Sequence, residues 1–499
     1  MLARLFRSGL ILFAVFALVW TATILWWQSI HRMPTTTDIV THLFLLPAGM
    51  IAGYLVIRRA LDGIRRNVAA AVSTPAAAQD GVAPPDGAVP DDDPSRRWRA
   101  LVLGAALRTA KGGDTAATAA ATAEQQRPDV VDVLRDGMPI FAAPAEDIDV
   151  EGTREALEQA FAELPWNDEA VRTVSLASDV AERLVAQVLE QYPGLYFPGG
   201  DETTAAAPQA EEPPRLVLTL LLPERWQAPM AAAAGQYVRG RLTGLWPIER
   251  ISMETLTAKG DGDAMVQVDR AILALHREPT HELRGVIAAD SHIGAEAIDR
   301  LRATNRLFSA QCEHGVAPSE AAAGVLLYPP QGPLAAMLAQ DAPPASIVRA
   351  TLTRLDAPTP DKGQPRTAAL DQAIAQTLGL LTQPAEGSNA KARSEEPEAS
   401  AAEPAPAPQP VVVTADISPH PVRTVELARV FSERFGELDV SADLLAVGTA
   451  CGHTGNAGAL LAIVVAHQQC AERGGPALAV TAADPQQRGA IAVVPPATA

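Results

Sequence analysis

The sequence predicts an α/β protein whose sheet is covered by helices on both faces. Two observations support this fold class. From about residue 98 onward, short apolar segments alternate with segments of helical periodicity. Most of the apolar segments, such as residues 215–222 (RLVLTLLL), lack the polar alternation of a strand with one wet face. A sheet that is apolar on both sides must be covered on both sides.

Composition excludes several function classes. The 499 residues carry a formal net charge of −18, and no nucleic-acid partner is expected because a phosphate-binding face needs clustered Lys and Arg. The cysteines Cys312, Cys451 and Cys470 form no CxxC and no zinc spacing. Free thiols in a reducing compartment are predicted, with no metal. The chain also lacks Walker A, GxGxxG and GxSxG motifs, so no cofactor is expected.

The N-terminus is predicted to be a membrane anchor. Residues 9–27 contain no charge, and residues 39–57 are interrupted only by Thr41 and His42. Each segment has the length that a helix needs to cross a hydrocarbon core of roughly 30 Å. A basic segment, 58–72, follows the second span and is predicted to lie along an acidic leaflet.

The basic residues set the orientation of this hairpin. Arginines lie before the first span and after the second: Arg4, Arg7, Arg58, Arg59, Arg65 and Arg66. The loop between the spans holds only Arg32. The positive-inside rule then places both termini and the large domain in the cytoplasm, at the inner membrane of a bacterium.

The remaining elements follow in order. A Pro-, Ala- and Asp-rich linker leads to a predicted hairpin at 130–143, with Asp136-Gly137 at its turn. Helices are predicted at 149–164, 175–192, 226–242, 262–275, 295–303 and 422–435. Strands are predicted at 215–222, 286–289, 324–328, 411–414, 444–447, 478–481 and 490–494. A glycine-rich turn at 448–458 (GTACGHTGNAG) precedes an apolar helix from Ala459.

Two segments together resemble the thiolase-like superfamily and, within it, the β-ketoacyl synthases. Residues 315–323 (GVAPSEAAA) are similar to a Gly-x-x-Pro-x-Glu-Ala-Ala stretch of that family, and residues 452–458 (GHTGNAG) to its Gly-His-Thr-x-x-x-Gly turn. The resemblance covers about residues 215–495. It implies a layered αβαβα fold made of two similar halves, and a homodimer as one oligomeric state.

The resemblance also implies a site. His453 would be a catalytic histidine that hydrogen-bonds a thioester carbonyl as negative charge develops there. The pocket would be lined by its own turn and by two acids: Gly452, Thr454, Gly455, Gly458, Glu320 and Asp261. Small residues would let the backbone cross near the pocket. Glu320 would hold a neighbouring loop through charge-assisted hydrogen bonds.

The sequence departs from the family at the residues that carry the chemistry. The nucleophilic cysteine should fall around 260–263 (GDGD), which has no Cys, Ser or Thr. The second histidine should fall at Ala415 or Asp416. Asp261 and Asp416 are candidate acids or bases, and Cys451 is a candidate nucleophile beside His453.

Two hypotheses follow. The first is a membrane-anchored, catalytically degenerate ketosynthase-like protein that serves as a binding or adaptor module for a cytoplasmic protein, with secretion as one setting. The alternative is an acyltransferase or 3-oxoacyl synthase-like enzyme that handles an acyl thioester at His453. The sequence also predicts the organisation of the chain. A transmembrane hairpin with its basic helix (1–72) is followed by a disordered linker (73–95) and by an accessory segment or the first part of the thiolase-like region (96–214). The first half of that region (215–330), an insertion with a Pro/Ala/Glu-rich linker (331–410) and the second half (411–499) complete the chain.

Overall fold

The computed structural model describes residues 93–131, 134, 139–195, 213–277, 281–359, 362–381 and 409–496. They belong to the second of two compact units, Pro90–Ala499. The predicted hairpin (1–72) and most of the linker (73–95) lie outside the described residues. In the part of the chain that is described, no helix combines the length and the apolar character needed to cross a membrane.

The strands and helices agree in kind with most of the predicted ones. The strands are β1 (Arg99–Arg108), β2 (Asp129–Val131), β3 (Ile140–Ala142), β4 (Arg215–Leu222), β5 (Ile251–Thr257), β6 (Glu282–Ser291), β7 (Glu320–Tyr328), β8 (Ser346–Val348), β9 (Thr351–Arg354), β10 (Val412–Ala415), β11 (Leu444–Ala446), β12 (Ala477–Thr481) and β13 (Gln487–Val494). The helices are α1 (Thr115–Ala123), α2 (Val150–Ala160), α3 (Asp168–Gln191), α4 (Ala228–Arg241), α5 (Asp263–Arg277), α6 (Ala295–Ala303), α7 (Ala335–Asp341), α8 (Ala368–Leu381), α9 (Pro421–Arg434), α10 (Val447–Cys451) and α11 (Gly458–Arg473).

The main sheet contains the same five-strand pattern twice. In the first half the order is β5-β4-β6-β7-β1, and in the second it is β11-β10-β12-β13-β9. In each half the second strand of this order is parallel to both of its neighbours, whereas the fourth is antiparallel to both. Strand β8 pairs with β1 and with β13 and so joins the two halves. The predicted repeat of two similar halves is therefore present.

Three apolar cores lie on the faces of these halves. One core contains the buried faces of α5 and α11 together with residues from both halves of the sheet. The second core joins α3 and α4 to the outer face of the first half. The third joins α8 and α9 to the outer face of the second half. The layers therefore alternate α-β-α-β-α.

Helix α11 shows how its sequence suits the middle layer. Every residue from Gly458 to Ala466 is buried, as expected of a helix enclosed between the two halves of the sheet. Its glycine and alanines leave room for both halves to approach it closely. The helix ends at Gly474, whose φ of 67° is the left-handed conformation that a glycine adopts without strain.

Several elements were not predicted from the sequence. Strand β1 (RALVLGAALR) is rich in small residues, and β8 and β9 are too short to show a period. Strand β5 and helix α8 were also missed. Strand β1 extends the predicted first half beyond 215–330. The region 331–410, which the sequence suggests is an insertion, contributes β8, β9 and α8 to the second half.

Boundaries also differ in several places, three of which concern α3 and the two motif segments. Helix α3 begins at Asp168 rather than at 175, because the side chain of Asn167 caps it by accepting a hydrogen bond from Ala170 N. Strand β7 begins at Glu320, so the second part of the 315–323 motif is strand. The first residues of the predicted 448–458 turn lie in the short helix α10.

Candidate active site

The candidate site lies where several chain segments leave the sheet. Asp261 follows β5, Asp290 is near the end of β6, and Asp416 directly follows β10. His453 lies in the turn between α10 and α11. Ligands of open α/β sheets bind beyond the carboxyl ends of parallel strands. The fold therefore brings residues that are far apart in sequence to one edge.

The glycine-rich turn packs directly on the 315–323 motif. His453 N donates to Ala317 O at 2.9 Å, and Pro318 and His453 form a parallel β-bridge. Gly452 has a φ of 74°, and a Cβ there would lie 2.9 Å from that of Ser319. The two segments that carry the family resemblance are thus in contact.

Gly455 is required by its surroundings as well as by its backbone. Its φ is 54°, and a Cβ at this position would overlap the carboxylate of Asp290 and lie 3.0 Å from Nε2 of His292. The next residue, Asn456, donates its backbone N–H to Asp290 Oδ2 at 3.4 Å. A side chain at Gly455 would therefore displace two polar groups of the site.

Two histidine rings stack at the centre of the site. The rings of His453 and His292 have centroids 4.8 Å apart and are inclined by 22°. Burial lowers the pKa of His453 to about 4, with the positive charge of Arg306 adding to this effect. Burial also holds the pKa of His292 well below its usual value. Both rings are therefore neutral at physiological pH, and each neutral ring has one N–H that can donate to a carbonyl oxygen.

Asp290 connects these rings to the protein around them. Its Oδ1 accepts a hydrogen bond from Arg225 Nη2 at 2.8 Å, and its Oδ2 lies 3.6 Å from Nε2 of His292. Both ring nitrogens of His292 are buried and have no hydrogen-bond partner among the described residues. Buried polar atoms of this kind indicate a place where a ligand or a water would form the missing bond.

Asp416 is held firmly in the position that the resemblance assigns to a second histidine. It accepts hydrogen bonds from Thr481 Oγ1 at 2.5 Å, Ala482 N at 2.8 Å and Ala483 N at 3.0 Å. Burial nevertheless raises its carboxyl pKa to about 6, since it outweighs these bonds, and the negative charge of Asp261 acts in the same direction.

Asp261 stands just before the first turn of α5, close to where the resemblance places the nucleophile. Burial raises the pKa of its carboxyl to about 6, and the charges of Asp290 and Asp484 add to this shift. Asp263, the first residue of α5, accepts a hydrogen bond from Lys259 N at 3.2 Å. The end of this central helix is thus occupied by carboxylates and offers no thiol.

Structural comparisons identify the fold. No family model and no curated protein matches this sequence. Among solved structures, the ishigamide ketosynthase/chain length factor is similar over 79% of this chain and 99% of its own, at 12% identity and a TM-score of 0.50. A type II PKS acyl-carrier protein in complex with its ketosynthase bound to the hexaketide matches over 80% of this chain and 99% of the other, at 10% identity and a TM-score of 0.51.

The ketosynthase from module 6 of the bacillaene synthase from Bacillus subtilis 168 has the same TM-score of 0.51, with 10% identity, and covers 80% of this chain and 72% of its own. The chain has the thiolase-like fold of ketosynthases. This confirms the fold that the two short motifs predicted. At these identities the likeness concerns the fold, so the chemistry must be judged from the residues of this chain.

Glu320, Thr454 and Gly458 are also predicted site residues, and each is enclosed by neighbouring protein groups. Glu320 is fully buried and accepts hydrogen bonds from Ala145 N at 2.8 Å, Ser291 Oγ at 2.7 Å and the guanidinium of Arg172. It holds the loop before α2, as the sequence suggested, and has no surface to offer a ligand. Thr454 is buried, and a Cβ at Gly458 would lie 3.4 Å from that of Asp416.

Cys451 is placed apart from the acidic and histidine side chains. It packs in a small cluster with Ala121 and Ala450. Burial raises the pKa of its thiol to about 11, against a hydrogen bond to Thr109 that lowers it. Since the thiolate is the nucleophile, a thiol with this pKa is poorly suited to attack a thioester at neutral pH.

Sequence reasoning missed part of this candidate site. Asp290, Ser291 and His292 are consecutive in sequence, and such neighbours rarely point at one another. Their contacts run instead to Arg225, Glu320 and His453, which only the fold brings near. Within the described ranges, no group of three or more His, Cys, Asp or Glu side chains is arranged to hold a metal ion.

Proposed function

We propose that this chain is a membrane-anchored ketosynthase-like module that binds its partner or ligand without forming a covalent acyl intermediate. The observation that carries the proposal is the carboxyl group of Asp261 at the start of α5. A condensing enzyme needs a thiolate at the N-terminus of a buried helix, where the helix dipole lowers the thiol pKa. An aspartate with a pKa of about 6 cannot take that role.

The remaining groups suit recognition of a polarised carbonyl. His453 and His292 are neutral, and both nitrogens of His292 are buried and unpaired among the described residues. A thioester, or the protein that carries it, is the partner class that we propose. One structural neighbour is described as a ketosynthase in complex with an acyl-carrier protein, which supports this partner class. The two apolar segments before residue 58 would hold this module at the cytoplasmic face of a bacterial inner membrane, where it would act as an adaptor.

The test uses the full chain solubilised in mild detergent. It is incubated with an acyl-CoA and, separately, with an acylated carrier protein, and then analysed by intact mass spectrometry and by co-purification. We expect no change in covalent mass, together with retention of the carrier protein or of another specific partner from solubilised membranes. A Cys451→Ala variant should behave like the parent, because the Cys451 thiol is buried.

The outcomes separate the proposal from its alternative. An acyl adduct that disappears in Cys451→Ala would overturn the proposal and support a thioester-handling enzyme with a nonstandard nucleophile. Recovery of no specific partner and no bound thioester would also contradict it.

A second candidate function rests on the two carboxyl groups whose pKa is about 6. Groups of this pKa exchange protons readily near neutral pH, which is the property of a general acid or base. Asp261, Asp416 and His453 would then serve an acyltransferase that passes the acyl group directly to its acceptor. Release of free CoA that requires an acceptor and is lost in Asp261→Asn would favour this function over the binding module.

A further inference from the structure

A cavity lies on the outer side of the first half of the sheet. Its volume is about 560 Å³, which is within the range of small-molecule sites. Its walls come from the segment before α3, the loop after β4 and the face of α6. No residue of this cavity belongs to the candidate site described above, apart from Arg225, which donates to Asp290 from the cavity wall.

One wall of the cavity is apolar and aromatic. The rings of Trp166 and Trp226 meet edge to face, with centroids 6.4 Å apart and an angle of 70°. Leu164, Pro165 and Met230 complete this wall. Trp166 is fixed in place, because its Nε1 donates to Phe161 O at 3.2 Å. Rigid aromatic surfaces next to a thioether suit an apolar side chain of moderate size.

Glu169 supplies an unsatisfied acceptor in the same cavity. Its side chain is 4% exposed. Oε2 accepts a hydrogen bond from Arg300 Nη2 at 2.7 Å, whereas Oε1 is buried and has no partner in the described part of the chain. Leaving a buried carboxylate oxygen without a donor is unfavourable. A ligand that brings an N–H donor, and above all an ammonium group, would satisfy it.

Arg300 supplies the opposite charge at the mouth of the cavity. Its side chain is 44% exposed, and its one hydrogen bond within the described residues, to Glu169, uses one of the five N–H groups that a guanidinium carries. The guanidinium geometry matches a carboxylate through two parallel hydrogen bonds. Arg225, by contrast, is engaged by Asp290 and by Ser291 O, and its Nε also lies 3.7 Å from Oε2 of Glu169, which leaves Oε1 as the free acceptor among the described residues. The carboxylate of Glu169, the guanidinium of Arg300 and the apolar wall therefore surround one cavity.

We propose that this cavity binds a small zwitterion with an apolar side chain, namely a free α-amino acid or a dipeptide. The ammonium group donates to Glu169, the carboxylate accepts from Arg300, and the side chain packs against Trp166, Trp226 and Met230. This site goes beyond the proposed function and needs no thioester. Its failure would leave that function untouched.

The experiment is isothermal titration of the full chain in detergent with L-phenylalanine and with the dipeptide Phe-Leu, which distinguishes the two sources of this chemistry. Phenethylamine lacks the carboxylate and hydrocinnamate lacks the ammonium group. We expect each truncated ligand to bind at least about tenfold more weakly than a zwitterion, because each loses a charge-assisted hydrogen bond.

Variants assign each half of the ligand to its partner. Glu169→Gln should weaken the binding of L-phenylalanine about tenfold and leave the affinity for hydrocinnamate unchanged. Arg300→Ala should weaken L-phenylalanine binding similarly and leave the affinity for phenethylamine unchanged. Trp226→Ala should weaken the binding of all four ligands. Arg302→Ala, an exposed arginine on the same helix, is the matched control and should change nothing.

Several results would overturn the proposal. Absence of heat with both zwitterions up to about 10 mM would do so, and so would hydrocinnamate binding as tightly as L-phenylalanine. Binding that survives both Glu169→Gln and Trp226→Ala would place the ligand elsewhere. The ligand series is measured on the unmodified chain, so the proposal stays testable even if a variant fails to fold.

Discussion

Asp261 and Asp416 are the residues at which this chain departs most from a condensing enzyme. Both carboxyl groups have a pKa of about 6, chiefly because burial disfavours their charged forms. They also influence one another, since the charge of Asp261 raises the pKa of Asp416. Hydrogen bonds to Asp416 stabilise its charged form, whereas none of the described residues donates a hydrogen bond to Asp261. Ionisation of the two carboxyl groups therefore costs the fold a similar free energy, and Asp261 is the simpler residue to test because its replacement breaks no such hydrogen bonds.

The pH dependence of stability tests this cost. The pKa of Asp261 in the folded protein, about 6, is above its ordinary value of 3.8. The native state therefore binds a proton more tightly than the unfolded state, and stability falls as the pH rises from about 3.8 through about 6. Asp261→Asn removes this loss. The variant should match the parent near pH 4 and be about 1–3 kcal/mol more stable near pH 7.5, as measured by urea unfolding.

An exposed acid provides the control for this prediction. Glu437→Gln removes a carboxylate from a solvent-exposed position and should leave the free energy of unfolding unchanged at both pH values. If Asp261→Asn were instead less stable at neutral pH, the charged carboxylate would have to make favourable contacts.

At the scale of elements, a buried ion pair ties the outer helix layer to the sheet. Arg172 on α3 donates to both oxygens of Glu320 at the start of β7, and also to Ala145 O at 2.9 Å. Ser291 at the end of β6 adds a hydrogen bond to the same carboxylate. Since Glu320 has no exposed surface, removal of Arg172 would leave a buried charge without its cation.

Arg172→Ala is therefore expected to lower the free energy of unfolding by about 3–5 kcal/mol. Arg172→Lys should recover part of the loss, because it keeps the charge but not the paired geometry. Arg429→Ala is the matched control, since its pair with Glu433 at 2.8 Å is exposed on both sides. Denaturant unfolding of the three variants gives the comparison. Equal effects at positions 172 and 429 would argue against a structural role for the buried pair.

Elements also show where sequence reasoning succeeds. Strand β4 was predicted within its observed bounds because its run of apolar residues is uninterrupted. Helix α6 was likewise predicted within its bounds. Strand β1 was missed, although it pairs with β7 and lies in the centre of the sheet. Its alanines and glycine carry little strand propensity, and its place is set by pairing with β7.

For the molecule as a whole, the three cysteines provide a test of folding and of the proposed orientation. Cys451 and Cys470 are fully buried, whereas Cys312 is partly exposed in the 304–318 loop. A maleimide should therefore label the folded chain at Cys312 alone and all three thiols after unfolding. Mass spectrometry of labelled peptides measures this directly.

The same thiol tests the proposed orientation. If the large domain faces the cytoplasm, a membrane-impermeant maleimide should leave Cys312 unlabelled in intact spheroplasts and label it after permeabilisation. Cys312→Ala should abolish the signal in both conditions. Labelling of intact spheroplasts would place the domain outside and contradict the proposed orientation.

Local sequence patterns are enough to predict several features of this protein. Apolar runs indicated most strands, periodicity indicated most helices, and two short motifs, 315–323 and 452–458, indicated the thiolase-like fold. The sequence also placed Asp261 just before a predicted helix and Asp416 just after a predicted strand. The anchor at residues 1–72 remains a prediction, since it lies outside the described residues.

Only the tertiary structure decided which of these residues meet. Stacking of His453 on His292, the bond from Arg225 to Asp290 and the separation of Cys451 all depend on segments far apart in sequence. The cavity with Glu169, Trp166 and Trp226 has no sequence signature for the same reason. Hydrogen bonding and burial are properties of neighbours in space, and the sheet order that creates those neighbours is fixed by long-range pairing rather than by local pattern.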